Sequence, residues 1–185
     1  MEGMRLPFLP HSILAAGLCA VFATGAAAQE PKSAAPAKEL AQLLASKKLD
    51  SIAARMPEDR DEFVGALAMP GQLMVVWAKT SAPAVVNEKL LNKEYKEVYI
   101  DLNSASIIES RHVVMDLGTD GLKVRPDQKA GPADSHDVAA KSMRFDGTWK
   151  DKKMSEADYM KSHAEADAAY AKAVQALIDE LKKTS

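Results

Sequence analysis

The chain has 185 residues, 24 Lys and Arg against 26 Asp and Glu, a formal charge of −2 and a single cysteine. Near-neutral charge with both signs interspersed excludes a nucleic-acid surface or a polybasic membrane patch, and one cysteine excludes a disulfide within the chain. The length fits one domain able to bury a true hydrophobic core.

In chain order, Arg5 gives the start a positive charge, residues 13–22 are apolar or small apart from Cys19, and Ala26, Ala27 and Ala28 precede Gln29. This pattern predicts a cleavable secretory signal peptide over residues 1–28, too short to span a bilayer, and a periplasmic or secreted location. Bulky Leu18 before Cys19 argues against a lipid-modified cysteine. Cleavage would remove the only thiol, and with it any thiolate nucleophile or cysteine metal ligand. No second apolar stretch approaches a span, so no stable membrane insertion is expected after cleavage.

Residues 29–37, rich in Pro, Ala, Lys and Ser, are expected to be a disordered leader, with a single domain over 38–185. Leu40, Leu43 and Leu44 predict one helix, and Asp50 as N-cap predicts a second that buries Ile52, Ala53 and Met56 before Pro57. Residues 63–69 and 72–80 read as a β-hairpin, with Pro70 and Gly71 at the centre of a type II turn. Leu73 to Trp77 is apolar at every position, which predicts a central strand covered on both faces.

A helix is expected over 84–96 and a strand over 98–102, the latter placing Tyr99 and Asp101 on the face opposite Val98, Ile100 and Leu102. Residues 107–117 read as another strand, turned by 118–121 into a shorter one over 122–125 that ends at Pro126. Residues 127–137 read as an exposed excursion that could serve as a lid. Residues 138–145 carry no decisive period, and Asp146-Gly147 is a turn. Ser155 should cap a long helix whose stripe is Tyr159, His163, Ala166, Tyr170, Ala173, Leu177 and Leu181. The expected class is α+β: an antiparallel sheet or small split β-barrel flanked by helices and closed by the long C-terminal one.

Motifs for chemistry are sparse. No histidine pair has the i, i+4 spacing of a helical zinc site, no G-x-S-x-G elbow is present, and no glycine-rich phosphate loop follows a strand. No metal site is expected. Asp116, Asp120, Gly121 and Asp127 match part of a calcium loop, but Gly118, Pro126 and strand-like flanks favour a tight turn. His163 reads as a packing residue and His136 beside Asp137 as a solvated loop pair. The weak catalytic candidates are Asp101 and His112: if the two faced each other across neighbouring strands, the carboxylate would orient the ring and raise its basicity.

The segments FVGALAMPGQLMVVWAK (Phe63 to Lys79) and EVYIDLNSAS (Glu97 to Ser106), with the order of elements from Asp61 to Leu122, resemble the FMN-binding split-barrel proteins related to pyridoxamine-phosphate oxidase. The resemblance implies a small barrel that dimerises and binds FMN at the subunit interface. Tyr99, Arg111 and Lys79 are the residues it would draw on for the flavin. The leading expectation is a non-catalytic binding or interaction domain with a small ligand, a protein partner or a second copy as its partner. The alternative is an FMN-binding split barrel with oxidoreductase activity, so whether the chain is an enzyme stays open.

Overall fold

The computed structural model describes residues 30–59, 61–79, 110–126 and 131–183. The expected signal peptide, the helix over 84–96 and the strand carrying Tyr99 and Asp101 lie outside them. The described elements are α1 (Ala34–Lys47), β1 (Ser51–Arg55), β2 (Glu62–Met69), β3 (Gln72–Lys79), β4 (His112–Leu117), β5 (Ser135–Val138), β6 (Lys141–Arg144), a 3₁₀ turn (Trp149–Lys152) and α2 (Glu156–Lys183). The six strands form one antiparallel sheet in the order β1-β2-β3-β4-β5-β6.

The β2–β3 hairpin follows from its turn. Met69 pairs with Gln72, so Pro70 and Gly71 form a two-residue connection, and Gly71 takes the positive φ of 73° that the second central position of a type II turn requires. β3 lies between β2 and β4, with Leu73 and Val75 buried on one face and Val76 and Ala78 on the other. Strand alternation gathers Ile52, Ala54, Val64, Ala66, Leu73, Val75, Trp77 and Val114 onto one face. That face packs with Ala37, Leu40 and Leu44 of α1 and with Tyr170, Ala173, Val174, Leu177, Ile178 and Leu181 of α2 in one core. The stripe predicted for the last helix is its buried face, and the Ser155 hydroxyl accepts the Asp158 N–H at 3.1 Å as its cap.

Of the two arrangements expected, the antiparallel sheet is the one formed: it is open among the described residues, with β1 and β6 at its edges, and is not closed into a barrel. Other expectations are corrected. The run from Asp50 is strand β1: four successive buried residues are too few for period to separate strand from helix, and five-residue pairing with β2 decides it. Order begins before residue 38, because α1 starts at Ala34 and buries Ala34 and Ala37. Small side chains that look compositionally like a leader instead allow close approach: a Cβ on Gly121 would stand 2.6 Å from the Ala34 nitrogen. Finally, residues 131–137 are no lid. Ala133 and Asp134 are buried and Ser135–Val138 is a sheet strand.

Residues 122–125 are not a sheet strand either. Their segment is held by side chains, with the Leu117 and Lys123 N–H groups donating to Asp134, the Asp120 and Gly121 N–H groups to Asp116, and the Leu122 N–H to Ser33 Oγ. Buried backbone donors must find acceptors, and here carboxylates do what a neighbouring strand would otherwise do.

Candidate functional site

On the helix-facing side of the sheet, Trp77 pairs with His112 across β3–β4, Val114 pairs with His136 across β4–β5, and His136 pairs with Met143 across β5–β6. Register therefore brings two histidines, an indole and a thioether to one corner. His112 Nδ1 and His136 Nε2 are 3.0 Å apart, and the two rings are inclined by only 23° with centroids 5.2 Å apart. So short an N···N contact with so wide a centroid separation means the imidazoles meet edge to edge and share a hydrogen bond. The Trp77 indole stacks on both, at 4.9 Å and 11° from His112 and at 5.6 Å and 22° from His136, and is itself buried.

Both rings are neutral at pH 7. Burial lowers the His112 pKa, and burial reinforced by His112 lowers that of His136 to about 4 against an opposing pull from Asp137. A neutral pair can share one N–H, the donor and acceptor roles being set by tautomer. The imidazoles line a cleft of about 490 Å³ together with Met143, Phe145, Ala166 and Ala169. The space exists because α2 turns small residues, Ser162, Ala166 and Ala169, toward this corner at helical spacing.

Four other buried carboxylates, Asp116, Asp134, Asp146 and Asp167, are spent inside the fold. Asp116 accepts the Asp120 and Gly121 N–H groups and the Tyr170 hydroxyl at 2.9 Å, and burial pushes its pKa up to about 6 despite those bonds. Burial likewise raises Asp134, although Lys123, Leu117 and Arg125 all donate toward it. At Asp146 burial is outweighed by the Thr148 and Lys152 hydrogen bonds, which hold the carboxyl well below the usual range. Asp167 receives the Lys32 and Ser33 N–H groups and the Ser33 hydroxyl. A second cleft, of about 570 Å³, lies between Pro31, Lys123, Val124 and α2 residues Met160 and His163. Its Asp167 is committed to the N-terminal segment and its His163 Nε2 to the Leu122 carbonyl at 3.0 Å.

The sequence-based candidates separate. His112 belongs to the site, and its opposing residues in the sheet are Trp77 and Val138. Asp101 and Tyr99 lie outside the described residues. Lys79 is ion-paired to Asp59 at 2.6 Å, and Arg111 Nε is buried without a hydrogen-bond partner. The turn after β4 does not offer a cation its acids: Asp116 serves backbone donors, while Asp120 binds Lys123 at 2.5 Å and Arg125 at 2.8 Å. His163 is the packing residue expected, edge-on to Phe145 at 4.9 Å.

Sequence reasoning missed the partnership of His112 with His136, because treating 127–137 as a loop hid the alternation that puts His136 on a strand face. No family model matches the chain, and no curated protein or solved structure matches it significantly. No described helix is long and apolar enough to cross a membrane.

Proposed function

We propose that the chain is an exported, non-catalytic binding domain whose ligand enters the cleft between α2 and strands β4 to β6. The observation that carries this reading is the cleft itself: two uncharged, mutually hydrogen-bonded imidazoles among Met143, Phe145, Ala166 and Ala169, with Lys141 and Glu165 also lining it. A histidine whose pKa has fallen to about 4 is a poor general base near neutrality, and its ring hydrogen-bonds another histidine rather than an orienting carboxylate. Export is supported by the charged start, the apolar run over 13–22 and the Ala26 to Ala28 site.

The test is a thermal-shift screen of small molecules, FMN included, on the wild-type chain and on Ala169→Trp, which fills the cleft. A ligand at 100 times its Kd should stabilise the wild type by about 2.7 kcal/mol and leave the filled variant unmoved. Ligands that stabilise both proteins equally would place binding elsewhere. Turnover of a screened compound that disappears in folded His112→Gln would make the chain an enzyme and overturn the reading.

A further inference from the structure

We infer that the ligand of this cleft is a soft transition-metal cation, Cu(I), held by His112 Nδ1, His136 Nε2 and the Met143 thioether. The assignment rests on the binding reading above. The two ring nitrogens are 3.0 Å apart, and an opening of about 0.3–0.4 Å brings them to the roughly 3.3–3.4 Å that two nitrogens span on a tetrahedral ion with metal–nitrogen bonds of about 2.0–2.1 Å. With the rings turned about χ2, one ion can take the place of the shared proton between them. Met143 lies directly opposite His136 across β5–β6, on the same face, and lines the same cleft.

The donor set selects the metal. Imidazole with thioether suits Cu(I), whereas calcium, magnesium and manganese need oxygen ligands. Among the described residues no three His, Cys, Asp or Glu side chains stand together for a metal, and the sulfur that the sheet register sets beside the imidazole pair is that of Met143. The Trp77 indole, stacked on both rings, presents a π-face behind the ion, where it attracts positive charge. On binding, the proton in the His112–His136 hydrogen bond moves to the other nitrogen of its own ring. Each imidazole then keeps one N–H, and neither a net proton nor an electron is exchanged.

The full chain, kept anaerobic, is titrated against Cu(I) buffered by a chromogenic chelator, with Trp77 emission followed in a Trp149→Phe background. One ion per chain should leave the chelator and quench Trp77. Met143→Leu, close in size, should weaken binding at least tenfold, and the double variant His112→Gln/His136→Gln should abolish it while keeping a cooperative thermal transition. The inference is overturned if the wild type takes no Cu(I), if Met143→Leu binds as tightly as wild type, or if the double variant still quenches. Should Cu(I) fail while an organic ligand is excluded by Ala169→Trp, the metal assignment falls and the binding domain stands. Failure of both measurements removes the binding reading as well.

Discussion

Asp116 and His136 occupy the same face of the sheet, and burial ties their protonation to stability with opposite signs. Asp116 has a folded pKa of about 6, above its ordinary 3.8, so its contribution is fully present below 3.8 and is lost as pH rises through 6. His136 is depressed to about 4 from 6.5, so its contribution is present above 6.5 and is lost as pH falls through 4. Each shift corresponds to at most about 3 kcal/mol, reduced at partly exposed His136 by solvent screening. Between pH 4 and 6 the two slopes oppose each other in the wild type. Urea unfolding across that range should therefore show stability falling with acid in Asp116→Asn and rising with acid in His136→Gln; parallel slopes in the two variants would refute the pairing. His112 was legible as a strand residue from its alternation, whereas the ionisation of Asp116 was not, because it depends on burial in a core that is closed by residues distant in sequence, among them Tyr170, 54 positions away.

At the scale of elements, those that announce themselves locally were readable. The β2–β3 hairpin has its turn residues, and α2 has a cap and a long 3.6-residue stripe. The unreadable ones take their hydrogen bonds from distant side chains. Nothing near residues 117–125 reveals that Asp134 will accept the Leu117 and Lys123 N–H groups, or that Ser33 will accept that of Leu122. Removing such an acceptor strands buried donors at about 1–3 kcal/mol each. Asp134→Ala should accordingly cost about 3 kcal/mol or more in urea unfolding, against about 1 kcal/mol for Ser155→Ala, which removes only an exposed cap. Equal losses would show that Asp134 is not the organising acceptor.

For the molecule as a whole, α1, the sheet and α2 share one core, so α2 is not a detachable arm. A chain ending at Met154 loses Tyr170, Leu177, Ile178 and Leu181, all fully buried. It should lack a cooperative thermal transition and bind a dye that reports exposed apolar surface. A truncated chain with sharp unfolding would instead assign the helix to a partner. The α+β class and the single core were readable from these faces; openness of the sheet was not, since alternation along a strand says nothing about where a sheet stops.

Ser33 donates its hydroxyl to Asp167 and accepts the Leu122 N–H, joining three stretches separated by 134 and 89 positions along the chain. Such a knot has high contact order, and closing its loops precedes any energetic return. A nascent chain that lacks residue 167 cannot tie it. Folding is thereby postponed until nearly all of the polypeptide is available.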